Sequence, residues 1–177
     1  MPPTPPIKIR PYHPKDPLPQ ITAMLHRAYK PLAQQGMRYL ASHQDQATTN
    51  DRLTNNAALA LVAECNNHII ATITLYHHNP ESTAPWYARP DTMCFGQFAV
   101  DPAHQAIGLG ARLLDTIEAH ARSLGAAHLA CDTSEHATDL IAMYHRRGYQ
   151  TVAHTNWDLT NYQSLILSLT LDNNPSS

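Results

Sequence analysis

Phe98-Ala99-Val100-Asp101-Pro102-Ala103-His104-Gln105-Ala106-Ile107-Gly108-Leu109-Gly110-Ala111-Arg112-Leu113-Leu114 runs from an apolar strand through a loop with two glycines into the first turn of a helix. Glycines at 108 and 110 let the backbone adopt φ values closed to other residues and come close to a ligand. The first N–H groups of a helix have no partner inside it, and the dipole there favours an anion. Strand, loop and helix together read as a phosphate cradle. A Walker loop would need Gly-Lys-Ser/Thr, and the stretch contains no lysine. A dinucleotide fingerprint would need a third glycine where Leu113 stands, and an early βαβ unit, whereas this loop lies past mid-chain. Both familiar nucleotide readings fail.

Outward from this stretch, the periodicity sets the element order. Eight of the fourteen prolines fall in the first nineteen residues, leaving room for one short edge strand around Ile7–Arg10. A helix follows from Pro17 to Gln35, with Ile21, Met24, Leu25, Ala28, Tyr29 and Leu32 as its stripe and Gly36 as its stop. Residues 41–56 are polar and read as a short helix or ordered loop. Ala57–Glu64 and His68–Tyr76 form a hairpin about Asn66-Asn67. Met93–Val100 is apolar on both faces and therefore central in the sheet. Beyond it come a helix over Gly110–Leu124, a strand at His128–Cys131, a helix over Glu135–Arg147, and strands at Tyr149–Ala153 and Tyr162–Leu171. The last strand alternates leucines with more polar residues, which predicts one wetter face. The fold class is α/β (α+β mixed): one domain over 1–177, its mixed, mostly antiparallel sheet of six to seven strands flanked by about four helices. The Pro-rich segment 1–6 and the tail 172–177 are expected to fray.

Composition narrows the function classes. The 177 residues carry 12 Lys+Arg against 14 Asp+Glu, a net charge of -2, which excludes a broadly basic nucleic-acid surface. Charged residues are only 15% of the chain, below the usual quarter or so. Cys65, Cys94 and Cys131 lie far apart, arguing against a disulfide framework or a zinc-thiolate site and for a reducing compartment. None of the 12 histidines stands three or four residues from another, so no metal is expected. The N-terminus lacks the apolar core of a signal peptide, and no apolar run reaches membrane-spanning length. A cytoplasmic location with no membrane partner is expected.

Gln105, Gly108 and Gly110 fit a Gln/Arg-x-x-Gly-x-Gly/Ala pattern, and Tyr144 stands four residues before Gly148-Tyr149 on the next helix. In these residues and in its element order, most of the chain resembles the GNAT superfamily of acetyl-CoA-dependent N-acetyltransferases. The resemblance implies acetyl-CoA as acyl donor and a small-molecule or peptide amine as acceptor, with direct transfer in a ternary complex. It implies that Phe98, Ala99 and Val100 offer strand backbone groups to the coenzyme. It further implies that Gln105, Ala106, Ile107, Gly108, Leu109, Gly110 and Ala111 supply amides to its diphosphate, with Arg112 adding charge. By the resemblance, Tyr144 is expected to act as general acid toward the departing thiolate; as a stripe residue it also suits plain core packing. The asparagine that often stands seven residues earlier in the superfamily is Ala137 here, so its coenzyme contact is either missing or supplied by Thr133 or Ser134.

An amine must lose a proton before it attacks, yet the central strand holds no acid and no histidine. Asp132 and Glu64 are candidates, each also readable as a surface or helix-capping carboxylate, and a base acting through water is the default. Cys131 has no cationic neighbour in sequence to activate it. By the resemblance, the acceptor is selected by Met37–Asp51 and His154–Tyr162. In these segments Tyr39 and Trp157 offer an apolar wall, and Asp45 and Asn161 offer polar contacts. The resemblance also allows a homodimer through the last strands, which Tyr162–Leu171 permits. The alternative to an enzyme is a non-catalytic acyl-CoA-binding sensor or assembly module on the same fold.

Overall fold

A computed structural model describes residues 5–172; residues 1–4 and 173–177, most of the ends expected to fray, lie outside the described residues. Seven strands form one sheet in the order β1-β2-β3-β4-β5-β7-β6. The strands are β1 (Lys8–Pro11), β2 (Ala57–Cys65), β3 (His68–Tyr76), β4 (Thr92–Val100), β5 (His128–Ser134), β6 (Gln150–Asn156) and β7 (Gln163–Thr170). The helices are α1 (Leu18–Gln34), α2 (Gln46–Thr54), α3 (Leu109–Ser123) and α4 (Thr138–Arg146). All pairings are antiparallel except β4 with β5. Among the described residues no helix is long and apolar enough to cross a membrane.

Alternation along the strands divides the core between the two faces of the sheet. Leu61, Ala63, Ile73, Leu75 and Phe95 pack with Leu113, Leu114 and Ile117 of α3 and Tyr144 of α4. Val62, Ile69 and Ala99 turn the other way, onto Ile21, Met24 and Leu25 of α1 and Leu53 of α2. The β2–β3 turn has Asn66 and Asn67 both at positive φ, as a two-residue hairpin on twisted strands requires.

Two features open the sheet at its centre. The parallel pairing of β4 with β5 stops at Cys94 and Ala130. Beyond it, β4 carries a bulge, with Thr72 opposite Ala99 but Thr74 opposite Gly96, so one extra residue is accommodated. Gln97 takes φ +47 there, a left-handed conformation that costs a non-glycine residue energy and must be held by its surroundings. It is held well. Its carbonyl accepts from Thr72 Oγ1 (2.7 Å), its Nε2 donates to the Thr49 carbonyl, and its Oε1 accepts from Gln44 Nε2 (2.8 Å). Phe95–Val100 then pairs only with β3, and Cys131–Ser134 only with β7, so a gap lies between them.

Three expectations are corrected. β5 runs to Ser134 rather than Cys131, so α4 begins only at Thr138 and Asp132 lies within a strand instead of capping a helix. β7 has no wetter face: Ser164, Ile166 and Ser168 are buried as well as Leu167, because the Ala84–Tyr87 segment and Trp157 cover that side. Nor is β7 free to pair with a second copy, since it sits between β5 and β6; the edge strands of the sheet are β1 and β6.

Candidate active site

The gap between β4 and β5 continues as a cavity of about 790 Å3 that reaches from the glycine loop to the β6–β7 loop. At the loop end, Ala106 and Gly108 are both left-handed, with φ +64 and +77, and Gly108 is the residue just before α3. Gly110 serves differently: a Cβ there would lie 3.4 Å from the Phe98 ring, so a larger side chain would push α3 away from β4. Among the described residues, the amides of Gln105 through Gly108 donate to nothing. Those of Leu109, Gly110 and Ala111 are orphans of the first helical turn. An anion placed there would meet several N–H groups at once.

Phe98, Ala99, Val100, Gln105, Ala106, Gly108, Leu109 and Gly110 all line the cavity. Ile107, Ala111 and Arg112 do not, and Arg112 is exposed at the start of α3. The strand edge is partly occupied already: Tyr29 Oη donates to the Phe98 carbonyl (2.7 Å) and Gln105 Nε2 to the Val100 carbonyl (3.1 Å). Tyr29, read from sequence only as a stripe residue of α1, thus reaches the cavity.

Tyr144 is 6% exposed, yet it borders the same cavity, with its ring against Phe95 and Tyr149. Burial, and then the neighbouring Cys131 thiol, push its phenol well above the ordinary value. The proton therefore stays on at neutral pH. Burial does the same to Cys131, which is no activated nucleophile. Thr133 lines the cavity and shares a 2.7 Å hydrogen bond with Tyr39 Oη, which also accepts from the Ser134 amide. The Tyr39 ring packs at a tilt between those of Tyr29 and Tyr162, and these rings form one wall.

At the far end, the Asp132 carboxylate accepts from Tyr87 Oη (2.7 Å) and from Trp157 Nε1 (2.9 Å), whose rings lie parallel. Burial raises the Asp132 pKa above the usual carboxylate value, and these two donors oppose the rise. A second cleft of about 510 Å3 meets the first here, and Arg52, Phe95, Gly96, Asp132 and Trp157 line both.

The remaining candidates are placed elsewhere. Asp45 is the N-cap of α2, its carboxylate accepting from the Thr48 amide (2.8 Å), and it does not reach the cavity. Asn161 spends its side-chain amide on the Gly36 carbonyl and the Arg38 N–H, tying the β6–β7 loop to the end of α1. Glu64 is held by Arg10 at 2.8 Å, away from the cavity lining. Arg52 on α2 and Gln44 just ahead of it are functional-site residues that no sequence motif marks.

Residues 19–149 match the model of the Acetyltransferase (GNAT) family. The chain belongs to the GNAT family. As such it is an N-acetyltransferase. It is 32% identical over 135 residues to the S-(2-succino)cysteine N-acetyltransferase of Bacillus subtilis (strain 168), covering 73% of this chain and 76% of that one. Solved structures with the same fold include the ribosomal-protein-S18-alanine N-acetyltransferase from Escherichia coli, with TM-score 0.70 and 18% identity over 93% of this GNAT chain and 94% of that one. The PaiA N-acetyltransferase from Thermoplasma acidophilum, solved in complex with coenzyme A, has TM-score 0.71 and 13% identity over 93% of this chain and 99% of that one. GNAT enzymes use acetyl-CoA.

Proposed function

We propose that this chain transfers acetyl from acetyl-CoA directly to the free amine of a small molecule, in a ternary complex within the β4–β5 gap. The unpaired amides of the Gln105–Ala111 stretch, of which Gln105, Ala106, Gly108, Leu109 and Gly110 border that gap, carry this reading. They and the α3 dipole bind the coenzyme's diphosphate, and the Phe95–Val100 edge that β5 leaves open receives its pantetheine arm, beside the Phe98 and Val100 carbonyls that Tyr29 and Gln105 already engage. Acetyl-CoA supplies the activated thioester. The acceptor nitrogen bonds to the carbonyl carbon as the C–S bond breaks, and Tyr144 gives its proton to the departing thiolate. Asp132 is the one carboxylate among the described residues that lines the main cavity, and it takes the amine's proton through water. The protonated state of Cys131 favours direct transfer over an acyl-cysteine.

The Bacillus subtilis relative is named for an amino-acid derivative, which supports a small acceptor over a peptide. The test is thiol release from acetyl-CoA across S-(2-succino)cysteine, other amino acids, polyamines and peptides, beside calorimetry with coenzyme A. Turnover with a small amine is expected. Acetylation confined to peptides would overturn the acceptor, and absence of any coenzyme heat would overturn the whole reading.

A further inference from the structure

Arg10, Arg52, Arg89 and Arg147 are the half-buried arginines of the described chain. Three of them have carboxylate partners: Asp16 and Glu64 for Arg10, Asp91 for Arg89, and Asp115 and Glu118 for Arg147, all within 2.8 to 2.9 Å. Arg52 has none among the described residues. Its guanidinium donates one hydrogen bond, to the neutral Gln44 Oε1 at 2.7 Å. Charges drawn out of water are ordinarily matched by an opposite charge, so an unmatched one at a cleft wall asks for an anion.

Its surroundings hold that cation in place rather than letting it swing to solvent. Gln44 is 3% exposed, and its Nε2 is fixed by Gln97 Oε1 and Thr49 Oγ1, both at 2.8 Å. Its Oε1 is thereby left aimed at Arg52. The Tyr76 hydroxyl donates to the Arg52 carbonyl and pins the end of α2 to β3. Gly96 forms the floor: a Cβ there would lie 3.6 Å from Arg52 Nη2 and 3.4 Å from the Tyr76 ring. Across this floor stands Asp132, which forms no ion pair with Arg52, yet the Arg52 charge lowers its pKa against the larger effect of burial. Both residues line the place where the two cavities meet, while Asp51 and Glu81 lie exposed among the lining of the outer cleft.

We infer that Arg52 binds a carboxylate of the acceptor, so that the enzyme's acceptors are carboxylate-bearing amines of the amino-acid type. The carboxylate sits on the guanidinium fork in the outer cleft, and the amine lies toward Asp132 and the thioester. This rests on the acetyl-transfer reading above and specifies its acceptor. A positioned Arg–carboxylate contact is charge-assisted and geometrically selective.

The test pairs S-substituted L-cysteines with the matching 2-(alkylthio)ethylamines, which lack only the carboxylate, and reads kcat/KM by thiol release. In the wild type the carboxylated member of each pair is expected to win by about 10²-fold, as loss of a hydrogen-bonded charged group costs. R52Q brings the ratio close to one with the coenzyme KM unmoved, and R52K restores part of it, since lysine keeps the charge without the fork. Equal rates for the pairs in the wild type, acetylation of carboxylate-free amines alone, or loss of both members together in R52Q would each overturn the inference. The wild-type comparison stands even where a variant fails to fold. Coenzyme binding by calorimetry keeps this failure distinct from failure of acetyl transfer itself.

Discussion

The two ends of the cleft are built from different materials. At the loop end the unpaired polar groups are main-chain amides from one continuous stretch, Gln105 to Ala111, set by Gly108 at φ +77 and by the close pass of Gly110 over Phe98. At the other end they are side chains from separate elements: Arg52 on α2, Asp132 on β5, Trp157 after β6, and Tyr87 between β3 and β4. A backbone site needs a conformation, and conformation is written in local sequence as glycine spacing. A side-chain site needs residues far apart in the chain to converge, and no local pattern encodes that.

Perturbing each end should therefore leave a different signature. The largest effect is expected between them, at Tyr144. Tyr144→Phe should lower kcat about 10²-fold with little change in either KM, as loss of a general acid does. Steady-state kinetics in both substrates would check this, and full turnover in the variant would remove the phenol from the chemistry. Next, Gly110→Val should raise the coenzyme KM about tenfold, the cost of forcing branched carbon against a packed ring, while the acceptor KM stays put. If the acceptor KM rose equally, the two ends would not be separable.

The acceptor end should reveal itself through pH. Burial raises the Asp132 pKa, so the folded protein holds that proton more tightly than the unfolded chain does. The cost of its charge is absent below the ordinary carboxylate value and appears as pH rises through the folded value. The stability of wild type relative to Asp132→Asn should accordingly fall from pH 4 to pH 7 in urea titrations. The acid limb of kcat/KM should lie above the usual carboxylate range and vanish in the variant. The smallest effect is expected at Asp45→Ala: about 1 kcal/mol of stability lost with the α2 cap, and no change in acceptor KM.

The same division explains what could be read in advance. The hairpin, the central place of β4 and the helix behind the glycine loop follow from period and turn residues, and the structure reproduces them with small shifts at the ends. Nothing in Met93–Val100 announces the bulge at Gln97, because its left-handed backbone is held by Gln44, Thr49 and Thr72 from other elements. Asp132 looks like a capping residue while β5 is taken to stop at Cys131; its true setting depends on Tyr87 and Trp157, which sequence does not bring near it. Asp45 and Asn161 have suitable chemistry in suitable loops, but backbone groups nearby already engage them.

The side chain of Asn161 joins two connections that lie 125 residues apart at Gly36. On the proposed function, acceptor access is framed by a stitched collar rather than an open trough. Lengthening one of these connections without the other would strain or part the stitch. New acceptor repertoires on this scaffold would then require paired changes in the α1–α2 and β6–β7 connections, and grafting either alone from another enzyme should transfer little.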